Sequence, residues 1–127
     1  MSRRSAWVPV GVWLLMMLTL TSLPSLPSGP DLPNADKLAH VAVFAVLGGL
    51  LRRAFGGRQP GLSWQAAGAR SFAAGFAYGV LDELHQIPIP GRTCSPWDLL
   101  ADACGLACGI AVGYFVECLT RGNRQEG

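Results

Sequence analysis

The chain has 127 residues, enough for one small domain and no second one. Half of them are hydrophobic and only 14% are charged, with the charges gathered in clumps, which leaves long stretches that water does not tolerate and disfavours a soluble fold. A net charge of +2, without any basic run interleaved with aromatics, argues against a nucleic-acid partner.

A helix crossing a bilayer core of about 30 Å needs roughly 20 apolar residues, with about 17 as the lower limit. The first predicted helix, residues 7–23 from Trp7 to Leu23, meets that limit without a charge. Pro24, Pro27 and Pro30 end it, because proline lacks an amide donor and clashes with the preceding turn. Arg3-Arg4 before an apolar run also has the form of a secretory signal peptide. The run is long for one, and Thr21-Ser22-Leu23-Pro24 is a poor cleavage site, so a retained helix is expected.

The second predicted helix covers 36–52. It is apolar from Leu38 to Leu51, ends at Arg52-Arg53, and reaches the headgroup region through Asp36, Lys37 and His40. The third, 66–85, is rich in Ala and Gly, carries Arg70 and has the weakest hydropathy. The fourth, 97–119, has Asp98 and Asp102 in its first turns and Glu117 in its last. Gly75 and Gly79 on the third helix, and Gly105, Gly109 and Gly113 on the fourth, recur every four residues, a spacing that lets helix backbones approach in lipid.

Lys and Arg accumulate in cytoplasmic loops. Arg3, Arg4, Arg52, Arg53, Arg58, Arg70, Arg121 and Arg124 all fall on one side of this arrangement. The other side receives only Lys37 and Arg92, with Asp31, Asp36, Asp82, Glu83, Asp98 and Asp102. The expected fold is therefore all-α: a single transmembrane domain over 1–127, a small polytopic bundle of about four helices with both termini cytoplasmic. Cys104, Cys108 and Cys118 lie in one apolar segment and Cys94 in a loop. No CxxC pair or metal-finger spacing is present, so neither a disulfide nor a metal site is assigned.

Ionisable groups at membrane depth are costly and need partners. Asp36 and His40 are four apart on one helix face, so Asp36 is placed to accept from the imidazole, with Lys37 on the neighbouring edge. Tyr78, Asp82 and Gln86 form one row of the third helix. Gly75, Gly79 and Glu83 form another, which puts Glu83 where a neighbouring helix comes closest. Pro90-Gly91-Arg92 follows in the loop, and the Arg92 guanidinium suits a carboxylate or phosphate in two-point contact. Asp98 and Asp102 share the inward face of the fourth helix, where Asp98 reads equally as a plain helix-start carboxylate.

Asp36-Lys37-Leu38-Ala39-His40 with Phe44, then Asp82-Glu83-Leu84-His85-Gln86, then Pro90-Gly91-Arg92, then Asp98 with Gly105 and Gly109, in that order, resemble the VanZ-like membrane proteins of bacteria over about residues 7–119. The resemblance implies a small multi-pass protein of the bacterial cytoplasmic membrane, whose founding relatives confer low-level resistance to the glycopeptide teicoplanin. Asp102 stands where the family often has Asn, and Val41 follows His40 where an aromatic is frequent.

Two functions compete. In the first, an outward polar site binds or acts on an envelope lipid or cell-wall precursor head group. His40 or Glu83 serves as acid or base, Asp36 orients the imidazole, and Lys37, Asp82, Gln86, Arg92, Asp98 and Asp102 bind the ligand, with Arg92 on a phosphate. A divalent ion bridging to phosphate fits the excess of acids, although no spacing demands one. In the second, the same residues are a structural ion-pair network of a non-enzymatic accessory protein. A transporter is disfavoured by the small number of helices. The residues specify neither a cofactor nor an oligomeric state.

Overall fold

Four helices account for the regular structure of the residues that the computed structural model describes, 3–24, 35–56, 62–92 and 94–122. They are α1 (Arg3–Thr21), α2 (Ala35–Gly56), α3 (Trp64–Gln86) and α4 (Pro96–Gly122), and no strand occurs among these residues, so the protein is all-α. Pro27, Asp31, Arg58 and Arg124 lie outside the described residues, as do the side chains of Arg3, Arg4 and Arg121.

Local chemistry shapes several of these elements. Pro9 lies inside α1, where it offers no amide to the Ser5 carbonyl four residues earlier. Ser63 caps α3, its hydroxyl accepting from the Ala66 amide at 3.2 Å. Beyond α3, the Arg92 amide donates to the Ile89 carbonyl at 3.1 Å across Pro90-Gly91, and Gly91 takes φ +80°. This is the Pro-Gly chemistry of a type II turn.

Helices α2 and α4 are long and apolar enough to cross a membrane, and Ser5–Thr21 within α1 is apolar but shorter. Val8, Val12 and Leu15 of α1, Leu81 of α3, and Val112, Phe115 and Leu119 of α4 are exposed around the bundle. That much outward apolar surface is unfavourable in water and ordinary in lipid.

Glycine governs the interior. A Cβ on Gly105 or Gly109 would collide with the carbonyls of Val41 and Ala45, and one on Gly48 would lie 2.6 Å from the Leu106 carbonyl. Helices α2 and α4 thus meet backbone to backbone, and Phe44, Leu47 and Leu106 fill the space beside the contact. On α3, Gly75 makes room for the Leu106 side chain. Helix α1 packs chiefly on α2 through Val10 and Met17, and the Trp13 indole donates to the Val43 carbonyl at 3.1 Å.

The helices alternate in direction, so the start of α2, the end of α3 and the start of α4 share one end of the bundle. At the opposite end Arg52, expected as the last residue of its helix, lies inside it. Helix α2 continues to Gly56, and Arg52 is buried, pairing with Glu117 at 2.7 Å under the Tyr114 ring. Its guanidinium packs over Gly56, where any Cβ would collide with it.

Overpacking a core costs about 1–3 kcal/mol, and here the obstructing atoms are backbone that cannot swing aside. Gly109→Val is expected to lower stability by about 3 kcal/mol in detergent melts. Gly11→Ala, with nothing within 4 Å of the new carbon, should stay within about 0.5 kcal/mol of the parent.

Candidate functional site

The start of α4 sets the geometry. The Ser95 carbonyl accepts from the amides of Asp98 at 3.0 Å and Leu99 at 3.3 Å, and its hydroxyl accepts from Trp97 at 3.2 Å. Pro96 occupies the first helical position, where no donor is required. Asp98 is then the third residue of the helix, and Asp102 lies one turn further on the same face.

In a capping box the residue at this third position reaches back to the amide of the cap. Here the Ser95 amide donates instead to Glu83 Oε2 of α3 at 3.0 Å. One carboxylate therefore clamps the end of α3 to the start of α4. Asp98 is left with Oδ1 buried and no hydrogen-bond partner among the described residues. The nearest cation is Lys37, whose ammonium lies 3.5 Å from that oxygen while bonding Asp36 at 2.8 Å.

His40 of α2 reaches α4: its Nδ1 lies 2.8 Å from Asp102 Oδ1, and Asp102 is 1% exposed. Gly79 of α3 permits this, since a Cβ there would come within 3.1 Å of Asp102 Oδ2. Beside this group, Asp82 accepts from Thr21 of α1 at 2.8 Å and from Gln86 at 3.0 Å, and His85 contacts Ser22 at 3.0 Å. Cys94, in the loop before α4, has its thiol held above the ordinary cysteine value by desolvation and then by the neighbouring Glu83 carboxylate.

The structure thus brings Lys37, His40, Glu83, Asp98 and Asp102 together, with Asp82 and Gln86 alongside. Two expected roles are corrected. Asp36 does not hold the imidazole: it points outward to Lys37, and the partner of His40 is Asp102, because helix face alone does not decide which of two acids lies nearer the ring. Arg92 does not reach the cluster. Its Nη2 and Nε donate to the Leu20 and Leu23 carbonyls, at 3.2 and 3.4 Å, capping the end of α1.

Sequence reasoning missed Thr21 and Ser95. Ser95-Pro96 is a recognisable helix start, whereas nothing local distinguishes Thr21. His40, Glu83 and Asp98 each offer an atom able to ligate a metal, all within 4.8 Å of one another.

The profile of the VanZ/LLP1 family matches residues 4–117, and the chain belongs to that family. No curated protein and no solved structure matches it.

Removing the Asp102 carboxylate leaves the His40 donor without its partner in the interior. Asp102→Ala is expected to cost about 3 kcal/mol, the upper range for a buried hydrogen bond to a charged group. Asp36→Ala, which alters only an exposed pair, should leave the melting temperature in detergent unchanged.

Proposed function

We propose that this membrane protein of the VanZ/LLP1 family crosses the bacterial cytoplasmic membrane four times, with both termini inside. On this reading its polar end faces outward and binds the phosphate-bearing head group of an envelope lipid or cell-wall precursor, thereby altering teicoplanin susceptibility. Cationic residues predominate at the Arg52 end and acids at the His40 end, which supports the orientation.

The observation that carries the ligand reading is the convergence of His40, Glu83 and Asp98 from three helices. An apolar cleft of about 270 Å³ lies further along the bundle, lined by residues of α1, α2 and α3 including Val10, Leu14, Leu47, Gly75 and Tyr78. Tyr78 packs on Phe44, which is buried and stacks on His40, so Phe44 stands between the cleft and the polar group. An apolar slot of this character suits part of an acyl chain, and the polar group suits a head group.

A second reading, a structural network in an accessory protein, is favoured by the hydrogen bonds that tie Thr21, Asp82 and Gln86 and by the Arg92 cap. The two readings part in one experiment. Expressed in a susceptible host, His40→Gln and Glu83→Gln should abolish any gain in teicoplanin tolerance at an unchanged melting temperature. Loss of tolerance only in proportion to lost stability would reject the site reading. Cys94 supplies the topological check: a membrane-impermeant maleimide should label it in spheroplasts, and labelling only after lysis would reverse the orientation.

A further inference from the structure

We propose that His40, Glu83 and Asp98 form a binding site for one first-row divalent metal ion, with Asp102 positioning the imidazole. The site goes beyond the head-group reading and does not need it.

Geometry is the first ground. The three ligand atoms come from α2, α3 and α4 and lie within 4.8 Å of one another. Ions of this kind bind nitrogen and oxygen at about 2.0–2.2 Å, which sets their ligands roughly 3–4 Å apart. Binding therefore requires these side chains to draw together by about 1 Å around the ion.

The second ground is how the imidazole is held. An ionised carboxylate only accepts, so Asp102 at 2.8 Å assigns the hydrogen to Nδ1 of His40 and leaves the Nε2 lone pair for coordination. A carboxylate behind the histidine, fixing its tautomer and orientation, is the usual support of a metal-bound imidazole.

The third is the unmatched oxygen. Asp98 is 8% exposed, and its Oδ1 is buried without a hydrogen bond among the described residues. Because Glu83 has taken the Ser95 amide, the helix start does not satisfy Asp98. Lys37 lies 3.5 Å from that oxygen and bonds Asp36 more closely, at 2.8 Å. Glu83, Asp98 and Asp102 together present three buried carboxylates to His40 and Lys37. A divalent ion corrects that excess where a single ammonium does not.

One imidazole with two carboxylates suits zinc or manganese better than magnesium or calcium, which prefer oxygen alone. Three protein ligands also leave a coordination position open for water or an anionic oxygen.

The test uses the full chain in detergent, stripped with a chelator and titrated with Zn²⁺ alone by calorimetry, then with Co²⁺ for its visible spectrum. The expected result is one ion per chain, a raised melting temperature and no thiolate charge-transfer band. His40→Gln and Asp98→Asn should abolish binding, and Asp102→Asn should weaken it by about 10–100-fold. Lys37→Ala should bind as tightly as the parent or more tightly, because a competing cation is gone. Absence of binding to the parent chain would overturn the proposal. So would binding that survives His40→Gln and Asp98→Asn but disappears in Cys94→Ser, or binding lost in Lys37→Ala while the melting temperature is kept. No lipid is present, so failure here leaves the head-group reading standing, and failure of lipid binding in a chain that holds its ion leaves the metal site standing.

Discussion

The approach of α2 to α4 through Gly48, Gly105 and Gly109 is the constraint on which the rest of the bundle depends. In lipid no hydrophobic force drives helices together, so association rests on packing at close range and on polar contacts. With carbonyls of α2 against the glycine carbons of α4, a side chain on one helix reaches groups on the other without a long bridge. His40 meets Asp102 at one end of this contact and Arg52 meets Glu117 at the other, so the glycine seam is closed at both ends by polar pairs. Helices α3 and α1 add to this pair: α3 by admitting Leu106 beside Gly75 and Asp102 beside Gly79, α1 by laying Val10 and Met17 across α2.

A second dependence lies at the start of α4. A helix start exposes amides that need acceptors, and the usual solution is local. Here the acceptor for the Ser95 amide is brought by α3 as Glu83, so the capping of one helix is also the docking of another. The consequence reaches the candidate site directly. An acid that would otherwise complete its own helix cap stays turned inward with an oxygen that has no hydrogen bond among the described residues and only the Lys37 ammonium near it, at 3.5 Å.

How much of this was legible in the sequence follows from what periodicity encodes. The helices were readable because apolar runs and prolines act locally, and the Ser95-Pro96 start, though equally local, was missed. The glycine rows were readable because a four-residue spacing fixes a face, and Asp82 with Gln86 was readable as a pair one turn apart on one helix. Partners on different helices were not. His40 and Asp102 are 62 positions apart, and the nearer acid in sequence, Asp36, was the wrong one. Arg92 read as a ligand-binding cation because its chemistry suits an anion, but a free helix end satisfies a guanidinium equally well. Arg52 read as the end of its helix because hydropathy stops at a charge, whereas pairing with Glu117 across the seam lets the helix continue.

The two ends of the seam differ in how many acids they hold. At the Arg52 end Arg52 pairs with Glu117 beside the Tyr114 ring, and its Nη1 is buried without a hydrogen bond among the described residues. The His40 end does not stop at one acid. Instead Asp82, Glu83, Asp98 and Asp102 are all buried at that end, against one imidazole and one half-exposed ammonium. Burying an acid without a matched partner is unfavourable, and three helices must converge to do it repeatedly in one place. Asp82 is satisfied by Thr21 and Gln86, Glu83 by the Ser95 amide and Asp102 by His40, so the surplus narrows to Asp98. That last carboxylate sits in the first turn of α4 with only the Lys37 ammonium near its buried oxygen, at 3.5 Å, and the proposed cation site rests on it.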